Sequence, residues 1–301
     1  MSFRRFRLLA VSLAAASLVQ AQTPSVSQPI GAQTLVTGGP SVSIGLQDHF
    51  AVTGVSGPVV QFDTVKGIFN VELRSDVAPK HVENFLKYVE TNAYDNSFFH
   101  RAASFDAGAI SIVQGGGYRS AGGSNAVAIP KLDPVDLEYS EPNARGTLAA
   151  ARTASLNSAN SEWFFNVRDN STVLGEANSG GYSVFGRVLG NGMTVVDAIA
   201  ALNRVAAGGV FSELPVQNYT VSDPATPVSD EHLIIVNSIS EAALFPAGGG
   251  TSIVSFSVQN SAPAVVGHSL SGSTLTLAPL AGGSANLTVR ATNTEGTAVE
   301  T

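Results

Sequence analysis

"VQFDTVKGIFNVEL", residues 60–73, is the segment from which the architecture of this chain is inferred first. Apolar and polar residues alternate in each half of it, which is the period of a β-strand with one buried face. Lys66 and Gly67 fit a tight turn between the two halves. The stretch therefore predicts a β-hairpin and a mainly β fold around it.

Two helices are predicted outward from this hairpin, over residues 79–90 and 192–202. Pro79 suits the first turn of a helix. Apolar residues recur at helical spacing at Val82, Phe85, Leu86 and Val89, and again at Val195, Val196, Ile199 and Leu202. Two isolated helices among many short strands favour a β-barrel with helical caps over a βαβ protein.

Composition excludes several classes of function. The 301 residues are 44% hydrophobic and 13% charged, with a net charge of −7. A nucleic-acid-binding protein needs a basic face for the phosphate backbone, so no nucleic-acid partner is expected. The chain contains no cysteine, which excludes disulfides, zinc–thiolate sites and cysteine nucleophiles. No histidines cluster at metal-ligand spacing, so neither a metal nor a cofactor is predicted.

The N-terminus has the pattern of a secretory signal peptide. Arginines precede an apolar run from Leu8 to Leu18, and Val19 and Ala21 form a small-residue cleavage signal. Cleavage after Ala21 is predicted, with a periplasmic or secreted destination. No other stretch approaches the ~20 apolar residues of a membrane span.

Three regions follow residues 1–21. Residues 22–59 are rich in Gln, Ser, Gly and Pro and contain one strand-like segment, and residues 60–242 hold most of the charged and aromatic residues. Residues 243–301 open with the linker "FPAGGG" and continue as alternating runs such as "IVSFSV" and "ANLTVRATN".

The two flanking regions resemble pieces of a bacterial immunoglobulin-like domain. That resemblance implies one β-sandwich, with residues 60–242 inserted between its strands, and insertion into exposed loops is tolerated. Val42–Phe50 is then expected to pack beside strands from 253–291. The alternative is two unrelated low-complexity flanks.

A series of motifs in the central region resembles the cyclophilins, a family of peptidyl-prolyl cis-trans isomerases, and especially the bacterial periplasmic members. The motifs, in order, are "FDTVKGIFNVEL", "AP" followed by "NFLKYV", "YDNSFFHR", "QGGG", "RGTLAAART", "NSANSEWFFNV" and "YSVFGRV". The resemblance covers roughly residues 60–242. It implies an eight-stranded antiparallel barrel capped by two helices, with a groove on its outside that binds proline-containing polypeptides.

The resemblance makes Arg101, after the histidine of "YDNSFFHR", the catalytic residue. An X-Pro amide isomerises slowly because its partial double bond gives a barrier of ~18–20 kcal/mol. In the twisted transition state the nitrogen regains a lone pair. A fixed cationic donor aimed at that nitrogen stabilises the transition state more than the planar ground state.

The other site residues are assigned by the same motifs. Gln114 corresponds to the glutamine that binds the substrate backbone beside the arginine. The residues expected to line the proline pocket or the adjoining strand edge are Ile112, Ala151, Arg152, Phe164, Leu174 and Tyr182. His100 is expected to be a hydrogen-bonded histidine of the barrel wall.

Two departures from the family pattern alter this site. Counting back from Gln114 places Ser111 where the family has a pocket phenylalanine, and Phe105 is the candidate replacement. Glu162 stands where the family has glutamine, and its carboxylate is expected to pair with Arg101. Glu162→Gln is then expected to speed turnover. The altered pocket weighs against binding of cyclosporin A.

Two functions remain open at this level. The first is an exported isomerase that assists folding of exported proteins, favoured by Arg101 and Gln114. The second is a catalytically weak module that binds proline-containing segments, favoured by Glu162 and by the missing pocket phenylalanine. A third and weaker interpretation makes the terminal sandwich an adhesive part that carries the isomerase domain.

Overall fold

The computed structural model describes residues 23–106, 108–178, 180–220, 227–245, 252–293 and 296–300. The predicted signal peptide lies outside these residues. The strands and helices, in chain order, are β1 (Pro24–Val26), β2 (Val42–Gly45), β3 (Phe50–Val52), β4 (Val59–Thr64), β5 (Gly67–Leu73), α1 (Pro79–Glu90), β6 (Ser97–Phe98), β7 (Arg101–Ala103), β8 (Ile112–Gly115), β9 (Tyr118–Ser120), β10 (Ala126–Ala128), β11 (Thr147–Ala150), β12 (Trp163–Asn166), β13 (Val184–Val188), α2 (Met193–Ala200), β14 (Asn203–Val205), β15 (Leu214–Val216), β16 (Ile235–Ala242), β17 (Ser255–Asn260), β18 (Val266–Ser271), β19 (Thr274–Pro279), β20 (Leu287–Asn293) and β21 (Gly296–Glu300).

The largest sheet is antiparallel and curls into a barrel. Its strand order is β10-β9-β6-β16-β4-β5-β13-β11-β12-β8-β7. β6 and β7 lie at distant positions in this order, yet only Phe99 and His100 separate them along the chain. Phe99 N–H donates to the carbonyl of Ile234 (3.1 Å) and His100 N–H to that of Gln114 (3.0 Å). These two bonds link the segment between β6 and β7 to Ile234, next to β16, and to β8, so the sheet closes into a barrel.

The family resemblance implied eight strands for this barrel, and the sheet consists of eleven strand segments in the described residues. The predicted hairpin of residues 60–73 is β4 and β5, paired from Val59↔Glu72 to Thr64↔Gly67. The mainly β, antiparallel class is confirmed. It follows from alternation, since every second residue of a barrel strand points inward.

Aromatic side chains fill the barrel interior. Phe62, Trp163 and Phe165 are each at most 1% exposed, and the Phe62 ring packs edge-on against both of the others with centroids 5.3 Å apart. Such edge-to-face contacts add to the free energy gained by burying the rings. The rigid core that results fixes the strands whose outer faces carry the candidate site.

Both predicted helices are present. α1 begins at Pro79, and its first turn is capped from another segment, since the Glu138 carboxylate accepts from the N–H groups of Lys80 (3.2 Å) and His81 (3.1 Å). α2 ends at Ala200, slightly before the predicted end of the helix. No helix among the described residues is long and apolar enough to cross a membrane.

The segments on either side of the barrel pack together. β2 pairs with β19 from Val42↔Leu277 to Gly45↔Thr274, so the expected contact between Val42–Phe50 and the later strands is present. Their shared core contains Leu46, Phe50, Val52, Val254, Leu275, Leu277, Val289 and Ala291. The boundaries at 59/60 and 242/243 and the likeness to an immunoglobulin-type domain stay predictions.

Candidate active site

Strand register places three of the expected site residues side by side. Arg101 on β7 lies opposite Gln114 on β8, and Gln114 lies opposite Phe164 on β12. Directly opposed residues of antiparallel strands share one face of a sheet. The neighbouring row, formed by Ala102, Val113 and Phe165, belongs to the barrel core. Arg101, Gln114 and Phe164 therefore stand on the outside of the barrel.

Arg101 and Gln114 touch through their side chains. Nη1 of Arg101 donates a long hydrogen bond of 3.5 Å to Oε1 of Gln114. The Arg101 side chain is 41% exposed, whereas Gln114 is 9% exposed. The guanidinium thus reaches solvent while the amide beside it is held in the wall of the groove.

A small apolar cluster adjoins this pair on the outer face. Its buried members are Ala103, Ile112, Ala149, Phe164, Leu174 and Val184, with Ala151 and Tyr182 packed against them. The rings of Phe164 and Tyr182 meet edge-on, with centroids 5.7 Å apart. The structure thus brings the expected pocket residues together next to Arg101, and their roles in binding stay predictions.

Arg152 frames the pocket instead of presenting free donors to it. Its guanidinium carbon lies 4.4 Å from the centre of the Tyr182 ring, and it donates to the carbonyls of Gly181 and Thr153. A guanidinium over an aromatic face is a favourable cation–π contact. Ala151 donates its N–H to the carbonyl of Glu162 at 2.9 Å, which fixes the expected peptide-binding edge.

Phe105 does not replace the missing pocket phenylalanine. Its side chain is 39% exposed and lies outside the apolar cluster. Ser111 is buried at 1% exposure, and its hydroxyl accepts a hydrogen bond from the N–H of Phe105 at 3.2 Å. That bond fixes the backbone of Phe105 but not its ring, so Phe105 does not supply the phenylalanine expected in the wall of the predicted pocket.

The expected ion pair between Glu162 and Arg101 is absent, and this expectation is corrected. Glu162 Oε2 accepts from Nε2 of Gln114 (2.8 Å) and lies 3.4 Å from Nε2 of His100. The ion pair of Arg101 is with Glu213 instead. The expected gain in turnover from Glu162→Gln therefore loses its basis. Because a carboxylate only accepts, Glu162 directs the Gln114 amide so that Oε1 faces Arg101.

The electrostatics of Glu162 follow from its contacts. Burial alone would raise the pKa of this carboxyl, but the hydrogen bonds from His100 and then Gln114 outweigh burial and lower the pKa below its ordinary value of 4.5. Glu162 is thus a carboxylate at neutral pH. His100 is buried as expected. Of its two ring nitrogens, Nε2 lies near Glu162, whereas Nδ1 has no hydrogen-bond partner among the described residues.

The glycines that follow Gln114 make room for Trp163. A Cβ at Gly115 would lie 2.4 Å from the indole ring, and one at Gly116 would lie 2.6 Å from the indole nitrogen. Gly116 also has a φ of +76°, which residues other than glycine rarely adopt. The "QGGG" motif therefore lets β8 approach the tryptophan closely and holds Gln114 in place.

Sequence reasoning missed Glu213, which lies far along the chain from Arg101. Its Oε2 is 2.9 Å from Nε of Arg101, and its Oε1 is 3.3 Å from Nη1 of Arg204. An isolated glutamate before a short strand carries no pattern that could have predicted this contact. In the described part of the chain, no group of three or more His, Asp or Glu residues is arranged to hold a metal ion.

Comparison with known proteins finds relatives of the barrel region. The family model described as cyclophilin type peptidyl-prolyl cis-trans isomerase/CLD matches residues 59–223. A peptidyl-prolyl cis-trans isomerase of Acinetobacter baylyi is 37% identical over 164 residues, which are 54% of this chain and 82% of the relative. Peptidyl-prolyl cis-trans isomerase B of Escherichia coli is 35% identical over 175 residues, which cover 55% of this chain and 100% of that protein.

A longer match extends further along the chain. A probable peptidyl-prolyl cis-trans isomerase of Brucella suis is 32% identical over 219 residues, which are 70% of this chain and 92% of that protein. The family model alone spans more than half of the 301 residues. The chain therefore belongs to the cyclophilin-type peptidyl-prolyl cis-trans isomerase family.

Proposed function

We propose that this chain is an exported peptidyl-prolyl cis-trans isomerase that assists folding of exported proteins, with Arg101 as its catalytic residue. Family membership gives the reaction, cis-trans isomerisation of X-Pro bonds in proline-containing peptides. The observation that supports the residue assignment is the outer row of Arg101, Gln114 and Phe164, which adjoins an apolar pocket.

The proposed mechanism assigns a task to each part of this row. The proline ring lies in the apolar cluster around Phe164, and Gln114 holds the substrate backbone. The Arg101 guanidinium faces the proline nitrogen. As the amide twists, that nitrogen pyramidalises and becomes an acceptor, and the fixed cation stabilises it. No bond to the protein forms or breaks, so no nucleophile and no proton transfer are needed.

A protease-coupled assay on a succinyl-Ala-Ala-Pro-Phe anilide tests this assignment. Arg101→Ala is expected to lower kcat/KM by a factor of about 10²–10³, the usual effect of removing one transition-state donor. Arg290→Ala is the matched control, because Arg290 lies on β20, outside the barrel sheet. Wild-type turnover in Arg101→Ala would refute the role of this residue.

A weakly catalytic binding module is the second candidate. The exposed Phe105 and the buried Ser111 favour it, since neither supplies the second pocket phenylalanine that the family pattern has. Titration of a proline-containing peptide by NMR separates the two candidates. Line broadening that reports fast cis-trans exchange supports the enzyme, whereas saturable binding without exchange supports the module. Binding of cyclosporin A is expected to be weak in either case.

Export is proposed from the signal-peptide pattern of residues 1–21. Fractionation of cells that express the full chain, followed by N-terminal sequencing, tests it. Mature protein outside the cytoplasm that begins at Gln22 is the expected result. Full-length protein that stays in the cytoplasm would contradict the proposal.

A further inference from the structure

A carboxylate from outside the family motifs holds the catalytic arginine. Oε2 of Glu213 accepts from Nε of Arg101 at 2.9 Å, and the two side chains are 30% and 41% exposed. The backbone adds a second contact, because Ala102 N–H donates to the carbonyl of Glu213 at 2.8 Å. Glu213 is thus fixed to β7 next to Arg101 by both its backbone and its side chain.

Arg204 on β14 completes this arrangement. Its Nη1 lies 3.3 Å from Oε1 of Glu213 and 3.0 Å from the carbonyl oxygen of Ala102. β14 pairs with β15, and Val205 lies opposite Leu214, so the hairpin brings Arg204 and Glu213 to the same end. The Glu213 carboxylate therefore pairs with two guanidinium groups, and the trio of Arg101, Arg204 and Glu213 carries a net charge of +1.

The contacts of Arg101 occupy two different edges of its guanidinium. Nε binds Glu213, and Nη1 binds Gln114. Nη2 makes no hydrogen bond to any residue that the structure describes. Because the guanidinium is planar, contacts on two edges fix its orientation and leave the third available to a ligand. Such fixing removes side-chain entropy that would otherwise be lost in the transition state.

We propose that Glu213 is a positioning residue for the isomerase reaction, with Arg204 offsetting its negative charge. This inference rests on the proposed role of Arg101. A lone carboxylate on Arg101 would hold the guanidinium but also weaken its positive field at the proline nitrogen. The second arginine relieves that conflict, because it shares the carboxylate and restores the positive charge of the group.

Glu213→Gln and Arg204→Gln test the two roles separately. Glu213→Gln removes the charge and keeps one acceptor, so kcat is expected to fall roughly fivefold, the size of one half-exposed ion pair, while KM changes by less than about twofold. Arg204→Gln leaves Arg101 alone to offset the Glu213 carboxylate, which lowers the net charge of the trio from +1 to 0, so kcat is also expected to fall. Glu83→Gln is the matched control, because the ion pair of Glu83 among the described residues is with Lys87 on α1, away from Arg101.

Two readouts separate positioning from general stability. The NMR signal of the Arg101 Nε–H group, assigned by its loss in Arg101→Lys, is expected to shift in Glu213→Gln and to stay in place in Arg204→Gln. In an Arg101→Lys background, which lacks Nε, Glu213→Gln is expected to have no further effect on kcat. A merely structural role of Glu213 would slow both backgrounds equally and would overturn the inference.

The outcomes also separate this inference from the proposed function. If wild type is active and Arg101→Ala is not, but Glu213→Gln equals or exceeds wild type, the positioning role is overturned and the catalytic role of Arg101 stands. If wild type is no faster than Arg101→Ala, the catalytic role fails, and the inference fails with it.

Discussion

At the scale of single residues, the site depends on which oxygen faces which nitrogen. Arg101 lies between Gln114 and Glu213, and Gln114 lies between Arg101 and Glu162. From the sequence, Glu162 was predicted to alter the site by forming an ion pair with Arg101. The reach of the Glu162 side chain could not distinguish a contact with Arg101 from a contact with Gln114, because Arg101 and Gln114 lie on the same face of neighbouring strands.

Glu162→Gln is expected to change kcat/KM by less than about threefold at neutral pH, since no ion pair with Arg101 is lost. Its effect on stability depends on pH. The folded-state pKa of Glu162 is lowered, so its contribution to stability is present above 4.5, the ordinary value, and is lost as the pH falls through the folded-state value. The measurement is urea denaturation of both proteins at several pH values. The stability gap between them should shrink on acidification, and a gap that widens instead would contradict this.

Gly115→Ala is expected to lower the free energy of unfolding by about 1–3 kcal/mol, the usual cost of overpacking. The added methyl would lie 2.4 Å from the ring of Trp163, which is buried at 1% exposure and cannot move away easily. Gly282→Ala is the control, because nothing lies within 4 Å of a Cβ there. Thermal unfolding of the two variants measures the difference, and equal midpoints would show that Trp163 moves aside.

At the scale of elements, helix α1 shows what local sequence does and does not specify. Apolar spacing and Pro79 predicted its bounds. Its N-terminal cap comes from Glu138, which also contacts Nδ1 of His81 at 2.8 Å. Burial lowers the pKa of His81 below its ordinary value of 6.5, although Glu138 opposes the shift. A cap from a distant segment leaves no signature in the helix sequence itself.

Glu138→Ala is expected to lower the free energy of unfolding by about 1–2 kcal/mol, because it leaves N–H groups of the first helical turn without an acceptor and removes a favourable charge there. Glu138→Gln keeps an acceptor oxygen and should lose less. Urea denaturation of the three proteins gives the comparison. If both variants lose the same amount, the charge rather than the hydrogen bonds carries the effect.

At the scale of the whole molecule, segments from both sides of the barrel form a second core. β2 pairs with β19, and Leu275 and Leu277 are buried at 2% and 5% exposure. This core is separate from the one that supports Arg101. Damage to one core should therefore be distinguishable from damage to the other.

Leu275→Ala is expected to destabilise the terminal strands by about 2–5 kcal/mol, the usual cost of a cavity in a core. Limited proteolysis should then cut the terminal segments more quickly. Trp163 is the only tryptophan and lies in the barrel core, so its fluorescence reports the barrel. The unfolding midpoint of the barrel, measured by Trp163 fluorescence, and the isomerase activity should stay at wild-type values. A parallel loss of both would show that the two cores unfold together.

The mainly β class, the two helices and the motif positions of Arg101, Gln114 and Phe164 could all be predicted from the amino-acid sequence. These properties depend on periodicity within a few residues and on ordered motifs, and both can be read along the chain. The surroundings of the site residues became visible in the folded chain: Arg101 pairs with Glu213, Glu162 accepts from Gln114, and Phe105 is exposed. Barrel closure and strand register bring distant residues within hydrogen-bond reach, and no local pattern records which of the available partners a side chain will meet.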